Sequence, residues 1–197
     1  MSLIDWPLDE HVVVRALTTD DAPTVFALID VNREHLRPWM PWANPESADP
    51  GFQRRRLAEA ELQWSRAADF GYGLFASTAA DAARTATHDR LIGAFGLSAR
   101  RGPRTLEIGY WLSAVATGRG LATRATEALT DIAANQPDID RVLVYCDEAN
   151  HASAAIPDRL GYRLDRVVAV PAEAAAETGR QLEWVVRPDE WRARRSS

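Results

Sequence analysis

Lysine is absent from this 197-residue chain, and arginine carries all the positive charge apart from histidine. That absence reads as compositional bias, and it excludes any lysine nucleophile or base. Cysteine occurs once, as Cys146 in "VLVYCDE". A disulfide within the chain and a cysteine metal cluster are therefore both excluded. A lone cysteine in a strand is ordinarily a small packed apolar residue. His11, His35, His88 and His151 are scattered without metal-ligand spacing, so no metal is expected. No apolar run approaches the roughly 20 residues needed to cross a bilayer, and the start "MSLIDWPLDE" lacks the pattern of a signal peptide. The expectation is a cytoplasmic protein without a membrane partner. The net charge of -5 and pI near 5.4 argue against nucleic acid as a partner, because that binding depends on neutralising phosphates.

The residues that are present read as one domain over 1–197, with a core over about 10–190. "HVVVRAL" (11 to 17) is a β-branched run. Thr19 or Asp20 then suits the cap of a helix with Pro23 in its first turn. "REHLRPWMPWANPES" breaks that helix into a rigid loop carrying Trp39 and Trp42. Helical spacing resumes over 52 to 68, with "RRR" (54 to 56) on its solvated side. Residues 70–77, 90–100 and 105–113 read as strands, and 78–89 as a flexible hairpin connection. A helix over 119 to about 134 follows, then a strand over 141–146. Another helix runs from Asn150 to about Leu160, followed by two closing strands, "GYRLDRVVAV" and "RQLEWVVRP". "RARRSS" reads as a loose tail. This order predicts a mixed α/β (α+β) fold with about seven strands, largely antiparallel, and helices on both faces. Strands joined by short turns cannot be parallel.

In "YWLSAVATGRGLATRA" (110 to 125) an apolar strand runs through a glycine turn into a helix. A helix start presents unpaired amides and partial positive charge. Glycines beside it let an anion approach the backbone, so the turn suits phosphate. No Gly-Lys-Ser/Thr follows, which excludes a P-loop. Thr123 stands where the dinucleotide fingerprint needs its third glycine.

"EIGYWLSAVATGRGLATRATEALTDIA" resembles the coenzyme A-binding segment of the GNAT acyltransferases. The similarity is to their RimJ/RimL-like branch, the ribosomal-protein alanine N-acetyltransferases. "CDEANHASAAIPDRLGY" resembles the next segment of that family, and "NREHLRPWMPWA" its early tryptophan-proline loop. The family turn, Gln/Arg-x-x-Gly-x-Gly/Ala, falls on Thr117, Gly118, Arg119, Gly120, Leu121 and Ala122. Gly120 and Ala122 match, and Thr117 departs. The resemblance implies that the turn amides, through Thr123, hold the pyrophosphate of acetyl-coenzyme A or another short acyl-coenzyme A. It also implies that the strand splays near Leu112 and Ser113 to pair with the pantetheine arm.

Acyl transfer to an amine needs a base, a carbonyl-polarising donor and an acid for the leaving thiolate. The resemblance makes Glu107 the candidate base, and alternation puts it on one strand face with Gly109 and Trp111. A salt bridge would equally account for Glu107, and Glu173 is the rival base. Asn150 and Ser153 match the family's Asn-x-x-Ser spacing. Asn150 is also a good helix cap. Ser153 is the candidate thiolate partner and a coenzyme A contact. A tyrosine serving as acid in other branches would fall at Pro157, so that role is unavailable there. Pro157 should kink or interrupt its helix and leave the Ser153 carbonyl free for water or amine. Trp39, Trp42 and Trp111 are expected to line the acceptor pocket, or to pack as core. The resulting expectation is an N-acyltransferase acting by direct attack on a protein N-terminus or small-molecule amine, as monomer or homodimer. The alternative is a non-catalytic acyl-coenzyme A-binding module.

Overall fold

The computed structural model describes residues 5–44, 49–65, 69–77 and 90–196. Its strands are β1 (Trp6–Pro7), β2 (Val12–Ala16), β3 (Asp69–Ala76), β4 (Arg90–Ser98), β5 (Thr105–Leu112), β6 (Arg141–Asp147), β7 (Arg163–Ala169) and β8 (Arg180–Val186). They form one sheet in the order β1-β2-β3-β4-β5-β6-β8-β7. Every pairing is antiparallel except β5 with β6. The sheet thus has eight strands where seven were expected; the addition is the two-residue β1, too short to show alternation.

Among the described residues five α-helices flank the sheet: α1 (Ala22–Leu36), α2 (Pro50–Ser65), α3 (Leu121–Ala134), α4 (His151–Arg159) and α5 (Pro188–Arg195). α1 and α2 bury Val25, Ile29 and Leu57 against Val13, Phe75, Leu91 and Ala94 on one face. α3 buries Leu121, Ala125 and Leu129 against Val14, Leu74, Phe95 and Ile108 on the other. The strand alternation that separates Val13 from Val14 is what feeds both layers.

Three local expectations change. α1 begins after a 3-10 turn, Thr19–Asp21, rather than at Thr19 or Asp20. Asp21 is held there because its carboxylate accepts from Thr18 N–H (2.9 Å) and from Arg15 (2.8 and 2.9 Å). The tail forms α5 instead of running loose. Pro188 stands at its start, acids occupy its first turn and arginines its last, as the helix dipole favours. Trp191 anchors it, 3% exposed, with its indole N–H donating to Asp131 (2.6 Å). The expected hairpin connection at 78–89 lies outside the described residues, as do the last residues of the helix expected to reach 68.

β5 and β6 set up the site. Their parallel pairing runs from Thr105↔Arg141 to Ile108↔Val144 and stops, although β5 continues to Leu112 and β6 to Asp147. The opening therefore starts at Gly109, three residues before Leu112. Ser113 does not lie on it: the Ser113 N–H donates to Ile92 O (2.8 Å), and the residue is 1% exposed. From Gly109 to Leu112, β5 has a strand partner on its β4 side only, among the described residues.

Candidate functional site

Two cavities meet at this opening. The first, of about 530 Å3, lies on the α1/α2 side and includes Glu107, Gly109 and Trp111 in its lining. The second, of about 940 Å3, lies between the starts of α3 and α4. Trp39, Met40, Tyr110, Trp111, Asn150 and Ser153 border both.

The second cavity takes in the glycine turn. Gly118 (φ 72°) and Gly120 (φ 70°) both have left-handed backbone, and a Cβ on either would meet no atom within 4 Å. Glycine is therefore required here by conformation, not by crowding. Gly120 caps α3 without a side chain, and the first intrahelical bond is Arg124 N–H to Gly120 O (3.1 Å). The amides of Leu121, Ala122 and Thr123 precede that bond and face the positive end of the helix dipole. Of the residues expected to hold coenzyme A, Thr117, Gly118, Gly120, Leu121, Ala122, Thr123 and Leu112 line this cavity; Arg119 and Ser113 do not. Arg119 is exposed on the turn. Arg159, in the last turn of α4, lines it too, although nothing in the sequence singled it out.

α4 begins as its capping residue predicts: the Asn150 side chain accepts from Ser153 N–H (3.1 Å). The helix continues through Pro157 to Arg159, so it does not end early and restart there. Nor is the Ser153 carbonyl free. The Tyr110 hydroxyl donates to it (3.0 Å) and accepts from Ser153 Oγ (3.3 Å). Tyr110 thus supplies the hydrogen bond that Pro157 cannot. Burial pushes the Tyr110 phenol well above its usual range. Nothing in the sequence marked Tyr110 as a site residue. Alternation, which puts it on the face opposite Glu107, was the available signal.

Glu107 is 4% exposed at the floor of the first cavity. Its carboxylate accepts from Arg100 Nε (3.0 Å), Arg100 Nη2 (2.5 Å) and Arg101 Nε (2.7 Å). Burial opposes the charge, but the two guanidiniums outweigh it and hold this carboxyl below the usual carboxylate range. Both arginines line the same cavity. The hairpin "SARRGPRTLE" carries them back over Glu107, a return that strand alternation alone does not show. Glu173 reaches this cavity from the β7–β8 loop. It is exposed, and its carboxylate has no hydrogen bond or ion pair among the described residues. Cys146 borders the cavity with its thiol pushed up to about 11 by burial.

Trp39, Trp42 and Trp111 all line the first cavity, and Trp42 packs on Trp111 with ring centroids 5.8 Å apart. Two loops beside this cavity are joined. Ala176 N–H of the β7–β8 loop donates to Pro38 O of the tryptophan-proline loop (3.0 Å). Asp147 anchors the same β7–β8 loop by accepting from Thr178 N–H (2.9 Å) and Gly179 N–H (3.0 Å). The described residues include no group of three or more potential ligands able to hold a metal ion, and no helix long and apolar enough to cross a membrane.

Comparison with known proteins supports the same reading. YdaF of Bacillus subtilis (strain 168), whose name assigns it to the ribosomal N-acetyltransferases, is 29% identical over 157 residues, 79% of each chain. In fold, the chain is similar to a ribosomal-protein-S5-alanine acetyltransferase from Vibrio fischeri (TM-score 0.82, 20% identity, 95% of this chain and 98% of that one). It is also similar to RimL, a ribosomal L7/L12 α-N-protein acetyltransferase solved with coenzyme A (TM-score 0.81, 18% identity, 95% and 99%). The model of the acetyltransferase (GNAT) domain matches residues 11–163. An open β5–β6 pair beside a glycine-capped helix start, within this sheet order, thus belongs to a chain of the GNAT acetyltransferase family.

Proposed function

We propose that this protein transfers an acetyl or other short acyl group from acyl-coenzyme A to a primary amine, most simply the N-terminal amine of a protein. The observation that carries this reading is the meeting of the two cavities at Tyr110, Trp111, Asn150 and Ser153, where β5 and β6 part. The second cavity suits the donor. The amides of Leu121, Ala122 and Thr123, with the turn from Thr117 to Gly120, offer the pyrophosphate an uncapped helix start. Arg159 adds a cation. The open edge of β5 from Gly109 to Leu112 offers a pantetheine arm main-chain pairing. The first cavity suits the acceptor. The names of YdaF and RimL, which specify ribosomal substrates, support a protein amine there.

The donor supplies the thioester. Ser153 Oγ can turn from the Tyr110 hydroxyl, to which it donates here, and give its proton to the departing sulfur, recovering one from water; Tyr110 holds Ser153 at the opening. Glu107 is a poor base while two guanidiniums occupy its lone pairs, and we assign it to positioning Arg100 and Arg101. Glu173, unpaired on the rim, takes the proton from the incoming ammonium, directly or through water. Cys146, with so high a pKa, is no nucleophile near neutral pH, which favours direct attack of the amine.

The test is release of free thiol from acetyl-coenzyme A with peptides and small amines. Turnover that falls about 10²–10⁴-fold in Glu173→Gln, with acetyl-coenzyme A binding retained, supports the assignment. Tight acetyl-coenzyme A binding with no thiol released by any amine would instead mark a non-catalytic binding module.

A further inference from the structure

Across the floor of the proposed acceptor cavity, beside Glu107, runs a row of positions without side chains. Gly71 of β3 stands opposite Gly96 of β4, and Gly96 opposite Gly109 of β5. Residues opposite one another across antiparallel strands share a face. All three therefore lie on the face of Glu107 and Trp111 and line the first cavity. At strand spacing they make a row about 10 Å long.

Nothing within the fold asks for glycine in this row. A Cβ on Gly71 or Gly109 would meet no atom within 4 Å, and one on Gly96 only Phe70 O at 3.8 Å. None of the three has positive φ. Their neighbours differ: at Gly73 a Cβ would sit 2.3 Å from Phe75, and at Gly93 2.4 Å from Leu112. Those two are glycine because the core leaves no room. A strand glycine without such a reason weakens the strand and marks close approach by another molecule. Gly109 is exposed although β5 is a central strand.

The trough has two unlike walls. Asp69, Ser98 and Glu107, one register step away, form a polar wall. Ala94 and Trp111, with Trp42 on Trp111, form an apolar one. Its Gly109 end opens at the junction of the two cavities. An amine placed at that end puts the group attached to it onto the glycine row. A small group there would leave water over the floor. A broad, flat group would displace it and bury against the tryptophan wall.

Building on the acyltransferase reading, we propose that the acceptor carries an aromatic or other broad apolar group beside its amine, seated on the Gly71–Gly96–Gly109 floor. The experiment compares thiol release with tripeptide amides X-Ala-Ala, where X is Ala, Ser, Leu, Phe or Trp, for wild type, Gly96→Ala, Gly96→Val and Gly71→Val. A Cβ at either position meets no atom closer than 3.8 Å, so the variants should fold, and their melting curves check this. Wild type should prefer Phe or Trp over Ala. Gly96→Val should lower kcat/KM for the Phe peptide by at least about tenfold, chiefly through KM. The Ala peptide should be affected much less, and acetyl-coenzyme A affinity should hold within about twofold. Gly96→Ala should fall between. Acetylated peptides with no preference for bulk, or equal effects of Gly96→Val on Phe and Ala peptides, would overturn the trough while leaving the acyltransferase reading intact. No thiol release with any of these peptides would overturn it as well; release with non-peptide amines would then show that the acyltransferase reading survives.

Discussion

Glu107 shows how a neighbour can reverse a residue's role. A buried carboxylate without partners would rise in pKa and be ready to accept a proton near neutrality. Arg100 and Arg101 push it the other way. A depressed folded pKa contributes stability that is present above the unfolded value, about 4.3. That stability is lost as pH falls through the folded value. Glu107→Gln should therefore lower stability by on the order of 1–3 kcal/mol at pH 7, and the gap from wild type should close as the pH is taken well below 4. Urea titrations across that range check the sign. Turnover in Glu107→Gln should fall less than in Glu173→Gln. A Glu107→Gln protein with wild-type stability at pH 7 would contradict the ion-pair account.

At the scale of elements, α4 and β5 share one carbonyl. Pro157 removes a helical donor to Ser153 O, and the Tyr110 hydroxyl fills the place. The two sites should therefore be coupled. Tyr110→Phe strips that carbonyl of its partner and should cost about 1–3 kcal/mol. In a Pro157→Ala background the helix supplies its own N–H, so the same change should cost measurably less. A double-mutant cycle by thermal melting reads the difference; strict additivity would refute the coupling. The other helix start gives a cleaner binding test. Asparagine tolerates left-handed backbone, so Gly120→Asn should fold yet place a side chain over the α3 amides. Wild type with acetyl-coenzyme A at 100 times its Kd should gain about 2.7 kcal/mol. Gly120→Asn should gain far less.

The same elements show what could be read from the sequence. Val12 to Val14, "EIGYWL" and the Asn150 cap were legible because alternation and capping are local. The glycine turn was legible for the same reason. Arg100 and Arg101 over Glu107, Tyr110 beside Ser153, and the alignment of Gly71, Gly96 and Gly109 were not. Each depends on a register or on contact between distant segments; Tyr110 and Ser153 are 43 positions apart. The run "RARRSS" looked loose because its arginines mark a helix end only once Trp191 is seen to be buried.

For the whole molecule, one backbone bond joins two loops that border the first cavity, the proposed acceptor site. Ala176 N–H to Pro38 O ties the β7–β8 loop to the loop after α1. Ala176→Pro deletes that donor. It should raise KM for an amine acceptor several-fold while leaving acetyl-coenzyme A affinity near wild type; a KM unchanged in a folded variant would show that the acceptor site does not need it.

The opening between β5 and β6 also dictates the order of events. On the proposed reading, donor and acceptor occupy cavities that meet at Tyr110, Trp111, Asn150 and Ser153, and burial raises the Cys146 thiol beside them to about 11, which makes it a poor acyl carrier. That reading requires both substrates to be present together before transfer. Double-reciprocal rate plots at several fixed donor concentrations should give lines that intersect, where a relay through an acylated side chain would give parallel ones. A desulfo analogue of coenzyme A should compete with the donor alone, and a non-reactive peptide with the acceptor alone. On this reading the sheet is a partition with a window between β5 and β6, and each side can be blocked without closing the other.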